Sequence, residues 1–88
     1  MNTEKFLERF LTFVNELLPG LRGKPNPGER IVADSLLFEN GALDSLSILH
    51  VLAFIEHQIG APVPDEMIVP ANFRSPRRIA EAFGRLHQ

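Results

Sequence analysis

The sequence predicts an all-α fold of three main helices, one short helix and a long first loop. Apolar residues recur at three- and four-residue spacings in three segments, and no segment alternates convincingly at period two. Pro and Gly cluster between those segments, where they break helices. At 88 residues, the chain fits one small domain, residues 1–88, since single domains run to about 100–150 residues. The expected radius of gyration is roughly 12 Å, which leaves room for one core and a surface groove.

In the first helix, Phe6, Phe10, Phe13 and Leu17 form one ridge and Leu7, Leu11, Val14 and Leu18 the next. Glu4, Lys5, Glu8, Arg9 and Glu16 fill the polar side, and Pro19-Gly20 is expected to end the helix. Residues 20–44 form a connection rich in breakers (Gly20, Gly23, Pro25, Pro27, Gly28, Gly41). Its apolar residues Ile31, Val32, Leu36, Leu37 and Phe38 should anchor it across the bundle, because free loops of this length are rare in compact domains.

The second helix runs from Ser45 to Gly60. Ile48, Leu52, Ile55 and Ile59, with Val51, occupy one face, and Leu46, Leu49 and Ala53 keep helical spacing on another. Such a helix is either central in the core or carries an exposed docking stripe. A short third helix over Asp65–Val69 should stop at Pro70. Ser75-Pro76 reads as an N-cap and first helical residue, and Ile79, Phe83 and Leu86 give the fourth helix its apolar face.

Composition excludes several functions. With no Cys there is no disulfide framework, thiolate zinc site or thiol nucleophile. His50 and His57 stand two helical turns apart, roughly 10.5 Å along the axis, too far to share one ion, and His87 lies in no ligand pattern. The sequence contains no nucleophile elbow, phosphate-binding glycine loop or paired carboxylate framework, so no enzymatic activity is expected. Asp65-Glu66 fit a helix start, where acids favour the dipole.

The net charge of −2 conceals an acidic stretch from Glu29 to Glu66 and a basic end carrying Arg74, Arg77, Arg78 and Arg85. With an acidic middle and no Trp or Tyr, nucleic acid is not an expected partner. A binder built on Arg74, Arg77 and Arg78 would show steep salt dependence. No apolar run approaches a membrane span and the first residues lack a basic leader, so a cytoplasmic, membrane-free protein is expected.

Asp-Ser-Leu occurs twice, at residues 34–36 and 44–46. Ser35 lies in mid-loop, whereas Ser45 opens the strongest helix. A phosphoester on Ser45 would meet unpaired N–H groups at the positive end of that helix. A plain N-cap is the other reading of the same serine.

The run Leu37-Phe38-Glu39-Asn40-Gly41-Ala42-Leu43-Asp44-Ser45-Leu46, followed by a central helix, resembles the acyl carrier protein family. Val63-Pro64-Asp65-Glu66 and Asn72-Phe73-Arg74-Ser75 fall where such carriers place their third helix and the start of their fourth. The resemblance implies a four-helix bundle whose Ser45 carries 4′-phosphopantetheine, taken from coenzyme A by a phosphopantetheinyl transferase that uses magnesium. Acyl, aminoacyl or polyketide groups would ride on the arm as thioesters, so the working sulfur would belong to the cofactor. Asp44 would assist the transferase step, and Leu46 would contact the transferase and later partners. The implied docking face comprises Leu46, Leu49, His50, Ala53, Glu56 and His57, with ordinary packing the alternative for Leu46, Leu49 and Ala53. Further partners would be an acyl- or aminoacyl-loading ligase and a downstream transferase or synthase, and a monomer is the simplest state for a shuttle.

The chain departs from fatty-acid synthesis carriers by placing Ser47, His50, His57 and Gln58 where acids would be expected, leaving Glu56 alone. Charge steers partner choice, so fatty-acid synthesis enzymes should be poor partners. The Phe38-to-Leu46 spelling looks more like a discrete carrier serving polyketide, nonribosomal peptide or aminoacyl transfer. Arg74, Arg77 and Arg78 would contact a phosphate or an acidic partner, or simply solvate a helix start. The competing expectation is a carrier-like interaction module that is never modified; Ser45 discriminates between the two.

Overall fold

The computed structural model describes residues 2–23, 25, 26 and 28–86; Pro27 of the long connection and His87 lie outside them. The described residues are all helix, turn and loop with no strand, an arrangement consistent with an acyl-carrier-type helical bundle. The radius of gyration is 11.8 Å.

The N-terminal rod comprises α1 (Thr3–Thr12), one π-helical stretch (Phe13–Leu17) and α2 (Leu18–Arg22). Asn2 opens it, its side-chain oxygen accepting from Lys5 N at 2.8 Å. The rod does not end at Pro19-Gly20 as the sequence predicts. It continues to Arg22 and closes on Gly23, whose φ of 76° suits the left-handed cap.

The π turn accounts for the difference. Proline inside a helix lacks an N–H and crowds the carbonyl four residues back, and one wider turn relieves both. Leu18 N donates to Phe13 O, so the partner of Val14 O in this register would be Pro19, which has no hydrogen to give. Asn26 Nδ2 fills that place at 2.8 Å. The wider turn also shifts the helical phase: Val14 and Leu18 are buried, but Leu17, expected in the core ridge, is exposed.

The long connection lies across the bundle, though on fewer anchors than expected. Ile31 and Leu37 are buried, with Ala42 and Leu43 beside them, whereas Val32, Leu36 and Phe38 remain exposed. Polar ties do the rest. Asn15, in the π stretch, donates to Ile31 O and accepts from Ile31 N, both at 2.8 Å. Leu37 N donates to Arg74 O at 2.9 Å and Arg77 N to Ala33 O at 2.8 Å, so the loop is stitched at both flanks.

Helix α3 (Ser47–Ile59) buries Val51, Ile55 and Ile59; Ile48 and Leu52 pack at the core's edge. Phe54 joins Phe6, Phe10 and Phe13 in an aromatic cluster, stacking on Phe13 at 4.6 Å between centroids. Each fully buried Phe contributes about 1.5–3 kcal/mol of apolar transfer.

The expected third helix over Asp65–Val69 is instead a single 3-10 turn, Asp65–Met67, followed by a second, Pro70–Phe73. Pro70 has no N–H to continue the first turn, and three residues are too few for an α-helical repeat. Helix α4 (Pro76–Phe83) begins as predicted, with Ser75 Oγ accepting from Arg78 N at 3.1 Å and Pro76 in the first turn. Ile79 and Phe83 are buried, but Leu86 lies past the end of α4 and is exposed. At Gly84 an added Cβ would stand 2.5 Å from Ala80 O and 3.3 Å from Thr3 Cα, so only Gly allows this close approach to α1.

Candidate functional site

The site grows from four consecutive residues. Asp44 Oδ1 accepts from Leu46 N at 3.0 Å and from Ser47 N at 2.8 Å. In return, Asp44 N donates to Ser47 Oγ at 2.9 Å. This is a reciprocal N-cap with Ser in the usual Glu or Gln place. Ile48 N donates to Asp44 O at 3.1 Å, which makes Asp44 the capping residue. Ser47, only 1% exposed, completes the arrangement by donating its hydroxyl hydrogen to Ala42 O at 3.1 Å.

Ser45 therefore does not cap the helix. Its residue is exposed, and among the described residues no group hydrogen-bonds its hydroxyl. The sequence reading also expected free amides around a phosphoester here, but those of Leu46 and Ser47 are already held by Asp44. The Asp44 carboxyl sits below the usual carboxylate range chiefly because the Ser47 amide bonds its ionised form. The Leu46 amide acts likewise, and the Arg22 guanidinium adds a smaller effect against the opposing influence of burial.

Leu46 and Leu49 are 74% and 61% exposed, and Ala53 is exposed one turn further along α3. They line the solvent face, so ordinary packing does not account for them. A groove of about 420 Å³ runs beside them, lined by Leu21, Arg22, Asp44, Leu46, Leu49 and His50, with buried Ser47 at its floor. The apolar strip thus extends from α3 onto α2 through exposed Leu21.

The remaining expected docking residues divide. His50 lines the groove half-buried and His57 is exposed. Glu56 is occupied: its Oε2 accepts from Val63 N at 2.8 Å and fixes the turn after α3. The basic group is likewise occupied in part. Arg77 Nε donates to Asp34 Oδ1 at 2.8 Å, and Arg78 donates to Asn72 Oδ1 at 3.1 Å and faces Glu81 at 3.8 Å. Of the three arginines, only the Arg74 side chain has no polar partner among the described residues.

Ser35, in the other Asp-Ser-Leu, is engaged. Its Oγ accepts from Val32 N at 2.8 Å and its own amide donates to Val32 O at 3.1 Å. Among the described residues no cluster of His, Asp and Glu is arranged to hold a metal ion, and no helix is long and apolar enough to cross a membrane.

Sequence reasoning passed over Arg22 and Asn26, and took Ser47 only as a missing surface acid, whereas it is buried and caps the helix start. Asp-x-x-Ser ahead of an apolar helix was the available signal for Ser47. For Arg22 and Asn26 there was none, because both are brought to the site only by the π turn and the folded loop.

No family model matches the chain. The sequence is 35% identical, over 78 residues covering 86% of this chain, to "Lincomycin biosynthesis protein LmbN" of Streptomyces lincolnensis. The chain spans only 28% of that relative's length.

Proposed function

We propose that this chain is a carrier, not an enzyme: it holds an acyl, aminoacyl or polyketide intermediate and presents it to partner enzymes in a biosynthetic pathway. The observation that carries this reading is the division of labour at residues 44–47. Asp44 and Ser47 do all the capping, so exposed Ser45 keeps an uncommitted hydroxyl at the helix start.

Ser45 would supply the oxygen of a phosphoester to 4′-phosphopantetheine. That group, when bound, provides a flexible arm ending in a thiol for thioester cargo, chemistry that a chain without Cys cannot offer itself. The residues present fit such an arm as an outward attachment. With the Leu46 and Ser47 amides taken, the phosphate would lie toward solvent or a partner rather than in a backbone cradle.

Leu46, Leu49 and Ala53 give a phosphopantetheinyl transferase, a loading ligase and a downstream transferase or synthase an apolar surface beside the modified residue. Interfaces are anchored by such clusters and specified by their polar rims. With Glu56 tied to Val63 N, the free part of this rim is His50 and His57, which disfavours partners that read a row of carboxylates. The name of the relative supports a biosynthetic setting.

Intact-mass measurement after incubation with coenzyme A, magnesium and a broad-specificity phosphopantetheinyl transferase tests the reading. One added phosphopantetheine on wild type, absent from Ser45→Ala, is expected. A folded wild type that gains nothing would instead be an unmodified interaction module.

A further inference from the structure

We infer that Arg22 is a positioning residue for modification at Ser45, an inference that rests on the carrier reading. Arg22 ends α2, and its side chain is only 5% exposed. Three oxygens surround its guanidinium: Asn26 Oδ1 at 3.3 Å, the Gly41 carbonyl at 3.2 Å and Asp44 Oδ2 at 3.6 Å. Asn26 is itself held by its bond to Val14 O in the π stretch. Gly41, at φ 83°, is the turn from which Ala42 and Leu43 enter the core.

One guanidinium therefore joins the end of the N-terminal rod to both ends of the Gly41–Asp44 segment, immediately before Ser45. The two oxygens of Asp44 divide their work. Oδ1 holds the Leu46 and Ser47 amides, while Oδ2 faces Arg22. The same carboxylate thus fixes the helix start to the loop and to the rod.

A planar fork with five donors can serve three oxygens in different directions; a lysine ammonium, a point charge on a flexible stem, serves them less well. Without Arg22, the Gly41 carbonyl loses its partner and the Gly41–Asp44 segment gains freedom. Fewer molecules then present Ser45 in the conformation that a transferase binds. Such a loss of competent population weakens apparent affinity without changing the chemical step. Its signature is a raised KM at nearly constant kcat, which a purely structural arginine would not produce in molecules that remain folded.

Initial rates of phosphopantetheine transfer, followed by intact mass against carrier concentration, test this on the full chain. The variants are Arg22→Ala, Arg22→Lys and Arg77→Ala, each checked for folding by circular dichroism. For Arg22→Ala the expected rise in KM is about tenfold with kcat within about twofold of wild type. Arg22→Lys should fall between, with KM up about threefold. Arg77→Ala, which breaks the ion pair to Asp34 in the other Asp-Ser-Leu, should keep the wild-type KM. If Arg22→Ala fails to fold, Arg22→Lys decides. A wild-type KM in the folded Arg22 variants overturns the inference, as does an equal rise in Arg77→Ala. Wild type that accepts no phosphopantetheine sinks the carrier reading itself and the inference with it, a result distinct from modification that ignores Arg22.

Discussion

Two copies of Asp-Ser-Leu sit ten positions apart in this chain, and the fold uses them in opposite ways. At residues 34–36 the serine does the backbone work: Ser35 Oγ accepts from Val32 N, and the Asp34 carboxylate is committed to Arg77. At residues 44–46 the aspartate does that work, and Ser45 is left free. The residue that follows each copy is part of the difference. Ser47 follows the second and closes a reciprocal cap with Asp44. Leu37 follows the first, and it is fully buried, with its amide given to Arg74 O. A three-letter motif is thus read together with its fourth residue and with the backbone ties around it, Ser47 closing a cap in one case and Leu37 entering a loop held by Arg74 and Arg77 in the other.

Leu37→Ser makes the first copy spell the second and is the harshest way to break this comparison. It should not create a cap, because Arg74 and Arg77 hold the loop's backbone elsewhere. It should destabilise by about 3–5 kcal/mol, the cost of emptying a packed leucine site and burying a hydroxyl. Urea unfolding measures the loss, and a gain in helicity would show that the fourth residue alone suffices.

Ser47→Ala removes the reciprocal half of the cap, leaving Asp44 N and Ala42 O unpaired while Asp44 Oδ1 keeps the amides of residues 46 and 47. A smaller loss, about 1–3 kcal/mol, is expected. Amide exchange at Leu46 through Leu49 should quicken more than at Ile55, because the fault lies at the helix start. Equal quickening along α3 would contradict the capping role.

Protonation gives the finest distinction. Both aspartates have depressed carboxyl pKa values, Asp34 chiefly through its hydrogen bond from Arg77 and Asp44 chiefly through the Ser47 and Leu46 amides. A depressed folded-state value means that the unfolded chain takes up the proton first. Each contribution to stability is therefore complete above the ordinary aspartate value of about 3.9 and is lost as pH falls through the lower folded value. Added salt should move the Asp34 midpoint back toward the ordinary value, since its partner is a half-exposed guanidinium. The Asp44 midpoint, set by backbone amides, should move less. Carboxyl carbon shifts followed by NMR from pH 5 to 2, with and without salt, would separate them; equal salt responses would remove the distinction.

The helix faces were legible because core packing writes a period near 3.6 into the sequence, as Phe6, Phe10, Val51, Ile55, Ile79 and Phe83 show. Pro19-Gly20 misled because proline usually stops a helix; a wider turn and a distant Asn26 let the rod pass it. The Asp65–Val69 segment has helix-like acids at its start, yet its length and Pro70 allow only a 3-10 turn. At the site, Ser45 and the exposed leucines could be found from sequence. The identity of the capping residue was in the spacing Asp-x-x-Ser but was overshadowed by the serine beside it. The role of Arg22 was not written locally at all, because its three oxygens come from residues 4, 19 and 22 positions away.

The most direct test of the central claim is to locate the modification by fragment mass spectrometry. Wild type, Ser35→Ala and Ser45→Ala would each be treated with coenzyme A, magnesium and a broad-specificity phosphopantetheinyl transferase. Phosphopantetheine is expected on Ser45 alone in wild type and in Ser35→Ala, and on neither serine in Ser45→Ala. Modification at Ser35, or a folded wild type left bare, would contradict the claim.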